Sequence, residues 1–186
     1  LKALKHRDEA LDSYDQAIAR EPKHVQAYYN RGNLLLEQGR FSEALDSYNR
    51  AIALKPDHAQ AHYNRGNAFL ELKQPDSALL SYEQAIALKA DYAQAHSNRG
   101  NALLALNRFK EALSSYDRAI ELKADDAAFY INKSSALVAL KRFEQALINC
   151  NIALDIAPDA QTHVNRGNVF LALKRLDEAL QDFERA

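Results

Sequence analysis

Cysteine is almost missing: Cys150 is the only one in 186 residues, so no internal disulfide can form. A disulfide-free chain fits a reducing compartment, and a cytoplasmic location is the expectation. Methionine is absent altogether and the sequence opens on Leu1, so a fragment of a longer protein is expected. No apolar run reaches the length of about 18 residues that a bilayer-spanning helix needs, and no secretory leader is legible. Neither sign of charge dominates. The 24 Lys and Arg against 25 Asp and Glu give a formal charge of −1, spread along the whole length. That excludes the basic footprint of a nucleic-acid binder and a polybasic membrane patch. Glycines number five, and none sits in a phosphate-cradling loop. Paired catalytic carboxylates and a nucleophile elbow are also missing. The residues therefore point to no enzyme and no cofactor.

What is present is a repeat. Asn30-Arg31-Gly32-Asn33 returns as Asn64-Arg65-Gly66-Asn67, Asn98-Arg99-Gly100-Asn101 and Asn165-Arg166-Gly167-Asn168, with a worn copy at Asn132-Lys133-Ser134-Ser135. Gly32, Gly66, Gly100 and Ser134 fall 34 residues apart, and Gly167 follows after 33. A fixed period of this size marks an array of one supersecondary unit. The apolar spacing is helical throughout, with no strand-like alternation.

Leu1 to Lys5 reads as the tail of one helix and Asp8 to Arg20 as another, stopped by Pro22. Helices follow over 25–38 and from Ser42 to Leu54, then 59–72 and 76–88, 93–106 and 110–122, 127–140 and 144–156, and 160–173 and 177–186. Gly39 supplies a C-terminal break and Ser42 an N-cap. Asp57, Asp91, Asp125 and Asp159 stand where N-caps are expected. The shortened period is placed in the turn near Pro158. Pro75 occupies the place of Phe41, Phe109 and Phe143, so its helix pair is expected to be the least well packed.

The pattern resembles the tetratricopeptide repeat. A small residue stands eight places into each first helix. Alanine, aromatic, alanine follow in the second: Ala44, Tyr48, Ala51; Ala78, Tyr82, Ala85; Ala112, Tyr116, Ala119; and, with a change, Ala146, Cys150, Ala153. Pro22, Pro56 and Pro158 close units, while Ala90 and Ala124 depart from the pattern. The resemblance covers the entire chain. It implies an all-α fold, a right-handed superhelical solenoid of antiparallel helix pairs. Full repeats are expected at 25–56, 59–90, 93–124 and 127–158, with partial ones at 1–22 and 160–186.

Six histidines raise the question of a metal. His62, His96 and His163 hold equivalent places, however, so they lie about one helix-packing distance, roughly 10 Å, apart and cannot share an ion. They read as half-buried aromatic substitutes for Tyr28 and Tyr130. His24 and His58 read as turn residues without partners. Cys150, in a tyrosine's place, reads as core. Arg31, Arg65, Arg99 and Arg166, with Lys133, read as stems lying along each helix pair, their heads paired to nearby acids.

The candidate binding residues lie on the first helices. Gln60, Asn64, Asn67 and Glu71 fall within about 60° on one helical wheel. Gln26, Asn30, Asn33 and Glu37 repeat the strip, as do Gln94, Asn98 and Asn101, and Gln161, Asn165 and Asn168. Asn132 continues it, and Tyr29 and Tyr63 flank it. In tetratricopeptide arrays this face lines the concave groove. Carboxamides offer both a donor and an acceptor, which complements a peptide backbone. Asn30, Asn64, Asn98, Asn132 and Asn165 match the positions that form an asparagine ladder in the superhelix of O-linked N-acetylglucosamine transferase. The carboxylate-clamping Lys and Arg of chaperone-binding arrays are replaced here by Gln, Tyr, Ser and Asn. The expectation is a non-enzymatic scaffold that binds an extended segment of a partner protein. Two alternatives stand beside it: a substrate-recruiting arm of a larger glycosyltransferase, and a module that self-assembles head to tail.

Overall fold

The computed structural model describes residues 2–186, with side chains from residue 7 onward. It divides into two compact units, Leu1–Ala90 and Asp91–Ala186. The first holds α1 (Lys2–Arg20), α2 (Val25–Glu37), α3 (Phe41–Leu54), α4 (Ala59–Glu71) and α5 (Pro75–Leu88). The second holds α6 (Ala93–Ala105), α7 (Phe109–Leu122), α8 (Ala127–Ala139), α9 (Phe143–Ile156), α10 (Ala160–Ala172) and α11 (Leu176–Glu184). No strand occurs among the described residues. The architecture is an all-α repeat array in which α2/α3, α4/α5, α6/α7, α8/α9 and α10/α11 pair through short turns.

Each pair closes where it does because of a recurring backbone device. Gly39 takes φ +73°; its N–H donates to the Leu36 carbonyl, and the N–H of Arg40 reaches back to Leu35 at 2.9 Å. This Schellman arrangement satisfies the last orphan carbonyls of α2. Arg40 is also the N-cap of α3, so one helix ends and the next begins within a few residues. The other four pairs turn in the same way on Lys73, Asn107, Lys141 and Lys174, all at φ between 58° and 61°. Gly39 carries the residue that this conformation favours most, and Asn107 the next most tolerant one; the three lysines have no such preference.

Inside each pair, a missing side chain meets a large one. A Cβ added at Gly32, Gly66 or Gly100 would lie 2.5–2.6 Å from the ring of Tyr48, Tyr82 or Tyr116 respectively. Those three tyrosines are fully buried. Where Ser134 brings a Cβ of its own, the facing residue shrinks to Cys150, whose sulfur sits 3.1 Å from the serine oxygen. Ala44, Ala51, Ala78, Ala85, Ala112, Ala119, Ala146 and Ala153 are all fully buried. Small residues there let neighbouring helices approach closely.

Several sequence expectations change. α1 runs unbroken from Lys2 to Arg20, because no Gly or Pro interrupts residues 2–20; Leu1 lies outside the described residues. Ser42 falls inside α3 rather than capping it. Among the aspartates, Asp159 alone caps, accepting from the Thr162 N–H at 2.6 Å. Asp57, Asp91 and Asp125 each precede the actual N-cap by one residue, because His58, Tyr92 and Asp126 hold that place. The α4/α5 pair is not looser than its neighbours: Ala78 and Tyr82 are fully buried, and Pro75 sits at the helix start, where its lost N–H costs nothing. The shortened period does fall in a turn, residues 157–159 between α9 and α10.

Candidate peptide-binding face

The amide strip is built on the first helices, and its members are half-buried or exposed. In the first unit Gln26 Nε2 donates to Asn30 Oδ1 at 2.8 Å. Asn64 Nδ2, on α4, reaches across to Asn33 Oδ1 at 2.8 Å and to the Tyr29 hydroxyl at 3.3 Å on α2. Consecutive rungs therefore touch here. Tyr29 lies 6.2 Å from the Tyr48 ring and Tyr63 5.9 Å from the Tyr82 ring, both pairs tilted. In the second unit Asn101 Nδ2 donates to Asn98 Oδ1 at 3.3 Å. Asn132 Nδ2 donates to Ser97 Oγ at 3.4 Å, and Gln161 Nε2 to Asn165 Oδ1 at 3.3 Å.

Part of the strip has an internal task. The hydroxyls of Tyr48, Tyr82 and Tyr116 donate to Asn33, Asn67 and Asn101 Oδ1 at 3.0, 2.8 and 2.8 Å. A buried hydroxyl left without a partner costs about 1–3 kcal/mol, which explains the second asparagine of each motif. The correlation runs through the chain. Where Cys150 replaces the tyrosine, Ser135 replaces the asparagine; where Phe183 does so, Asn168 is exposed. What remains for a ligand is the amide nitrogen of Asn30, Asn33 and Asn165, and both ends of Gln60, Gln94 and Asn168. None of these groups hydrogen-bonds within the described residues.

The histidines and arginines divide by their surroundings. His24 and His58 have partners after all, because Nδ1 of each accepts from the N–H three residues on, Ala27 and Ala61, at 3.3 Å. His58 also lies against Tyr29, ring centroids 4.7 Å apart. His62 is buried, with Nε2 2.9 Å from the Pro56 carbonyl, and burial pulls its pKa down. Arg31 pairs with Asp15 at 2.7 Å and Lys133 with Asp117 at 2.6 Å, as expected. Arg65 meets no acid among the described residues: it donates to Ser81 Oγ and Asn49 Oδ1, both at 3.2 Å. The preceding repeat offers it Asn49, in register with the Asp15 that meets Arg31 and the Asp117 that meets Lys133; Asn151 stands in the same place before Arg166. Burial of this guanidinium lowers its pKa.

One buried charge escapes a reading of the motifs. Asp182 is 1% exposed and accepts from Arg166 Nε and Nη2 at 2.7 and 2.6 Å. His163 Nδ1 lies 3.0 Å from it. Burial opposes ionisation, but the hydrogen bonds from Arg166 and His163 outweigh it and hold the carboxyl below the usual range. The available signal was the change from Ser47, Ser81 and Ser115 to Asp182 in register. Cys150 is fully buried, and burial raises its thiol pKa. It is a core residue.

Family models described as TPR or tetratricopeptide repeats match residues 13–46, 32–73, 66–106, 93–126 and 160–186. Comparison with curated proteins gave no match. Among solved structures, the chain is similar to YrrB, described as a TPR protein with an unusual peptide-binding site. The identity is 23% over 94% of this chain and 91% of that one, with TM-score 0.74. MamA from Desulfovibrio magneticus is 20% identical over 87% and 92%, with TM-score 0.78. A tetratricopeptide repeat protein from Parabacteroides merdae is 22% identical over 99% and 72%, also with TM-score 0.78.

Proposed function

Since the chain belongs to the tetratricopeptide-repeat family, we propose that it is a non-enzymatic protein-interaction scaffold. It takes an extended segment of a partner protein along the amide face of its first helices. The observation that carries this reading is the set of amide groups left over once the tyrosine hydroxyls are satisfied. Asn30, Asn33, Asn165 and Asn168, with Gln60 and Gln94, retain donors or acceptors on half-buried or exposed ground. Asn is a mediocre helix former, so local propensity does not account for these positions. Each backbone contact contributes about 0.5–1.5 kcal/mol, and ordering a flexible ligand consumes much of the sum. Binding in the micromolar range with loose sequence preference follows. The peptide site described for YrrB belongs to that protein and supports the class of activity only.

The test uses residues whose amides bond only to an exposed glutamine on the same helix and bridge no two helices. Asn30→Ala with Asn165→Ala should weaken capture of an extended peptide pool, scored by fluorescence anisotropy, several-fold, while leaving the thermal midpoint near its starting value. Unchanged affinity in that variant removes the reading. Asn64→Ala is the poorer probe, because its amide nitrogen bridges α4 to α2.

A further inference from the structure

A concave surface lies away from the amide strip, in the cleft formed by α7, α8 and α9. Two adjoining depressions of about 350 and 460 Å³ share Leu113, Asp117 and Arg142. Leu137, on α8, lines the smaller of the two. It stands five residues beyond Asn132, which is about 140° around the helix, so the cleft and the amides occupy different sides of α8. Ile148 forms part of the wall and is 57% exposed, a large apolar side chain left facing solvent beside Leu113 and Leu140.

The rim is cationic for a traceable reason. In three other helix pairs the arginine at the N-cap of the second helix holds the glutamate three residues on. Arg40–Glu43, Arg108–Glu111 and Arg175–Glu178 close at 2.6, 2.7 and 2.6 Å. Three residues beyond Arg142 stands the neutral Gln145, and Arg142 has no acidic partner among the described residues; nor has Lys110, across the cleft. Lys133 is neutralised by Asp117 at 2.6 Å. The cleft therefore joins an apolar floor to two unpaired cations. Two repeats earlier the same floor is apolar again, with Leu45, Phe69, Leu72 and Leu80, but the corresponding rim residues are the neutral Ser42 and Gln74. The combination arises from substitutions at the rim and is not a general property of the repeat.

We propose that this cleft is a docking site for a short acidic–apolar segment of a partner protein. A leucine-sized side chain sits against Leu113, Leu137 and Ile148, and flanking carboxylates face Lys110 and Arg142. Charge complementarity selects this occupant. A purely apolar segment leaves both cations without a counter-charge, and a basic segment is repelled. Because the cations are exposed, binding weakens as salt rises.

The 186-residue chain can be titrated against a fluorescein-labelled, end-blocked peptide bearing leucines flanked by glutamates. Analogues with glutamine for glutamate, and with alanine for leucine, provide the comparison. Both analogues should bind more weakly. Arg142→Glu should reduce affinity for the glutamate peptide about tenfold, the size expected from reversing one exposed charge contact. The same variant should bind a lysine–leucine peptide better than the parent does. Ile148→Gln should lose several-fold with either peptide, whereas Asn165→Ala should change nothing, which separates this site from the amide face. The proposal is overturned if glutamate and glutamine peptides bind alike, or if Arg142→Glu leaves affinity unaltered. It is equally overturned if sedimentation finds a concentration-dependent dimer of the chain alone that Arg142→Glu abolishes, since a second copy is then the occupant.

Discussion

Replacing Gly66 with alanine probes the glycine–tyrosine contact that packs α4 against α5 and recurs at Gly32 and Gly100. The new Cβ would stand 2.6, 2.8 and 2.9 Å from Cε1, Cδ1 and Cζ of Tyr82, about 1 Å inside the optimal carbon–carbon separation of roughly 3.5–4.0 Å. The ring has nowhere to swing, being fully buried and anchored to Asn67 through its hydroxyl at 2.8 Å. Overpacking of this kind costs about 1–3 kcal/mol, and the rigid ring argues for the upper end. Against it, alanine is better than glycine in a helix by about 1 kcal/mol. The expected net loss is therefore about 2 kcal/mol. With a urea slope of about 2 kcal/mol/M, the midpoint followed by far-UV circular dichroism should fall by about 1 M. The chain supplies its own compensation in the fourth full repeat, where Ser134 faces Cys150. Tyr82→Cys alone should cost about 3–5 kcal/mol for the cavity. Gly66→Ser combined with Tyr82→Cys should cost clearly less than the two singles added, because each change makes room for the other. An unchanged or raised midpoint for Gly66→Ala would show that helix propensity outweighs the clash, and the packing account would be wrong.

Three further outcomes are expected. Tyr116→Phe removes a donor but leaves Asn101 able to turn to solvent, so it should cost about 0.5–1.5 kcal/mol; Asn101→Ala takes away the acceptor of the buried hydroxyl and should cost about 1–3 kcal/mol. Equal effects in urea titrations would contradict the pairing. Asp182 has a folded pKa below its unfolded value of about 3.9. Its stabilisation is thus complete above that unfolded value and is lost as pH falls through the folded one. Asp182→Asn should be less stable at neutral pH and show a flatter acid limb in unfolding midpoints; a limb as steep as the parent's would exclude Asp182 as its source. Lys73 holds φ 58° on the surface, a conformation costing about 1–2 kcal/mol for a residue with a Cβ. Lys73→Gly should raise the thermal midpoint, and a fall would mean that the turn is not strained.

The candidate site was only partly legible, and the reason lies in what an asparagine amide touches. The helical wheel placed Asn33 and Asn64 on one strip but could not distinguish a ligand-facing amide from one facing α2. In the fold, Asn33 Oδ1 receives both Tyr48 and Asn64, so a strip expected to be uniform divides into structural and available groups. Three of the four expected aspartate caps failed for a similar reason. An aspartate before a helix is a good cap in isolation, but the backbone entering α4 puts His58 rather than Asp57 at the position that accepts the N–H.

The primary sequence determined the helical class, the period of the array, the residues that pack each pair, and that no internal disulfide can form. These follow from spacing and side-chain size, which are local properties repeated often enough to be read directly. Tertiary structure alone decided the rest. It assigned Asp182 to Arg166 and His163, left Arg65 with only neutral partners, and set Arg142 and Lys110 beside one apolar cleft. Such pairings depend on distances between different helices, and a hydrogen bond or ion pair is gained or lost over less than the width of one atom.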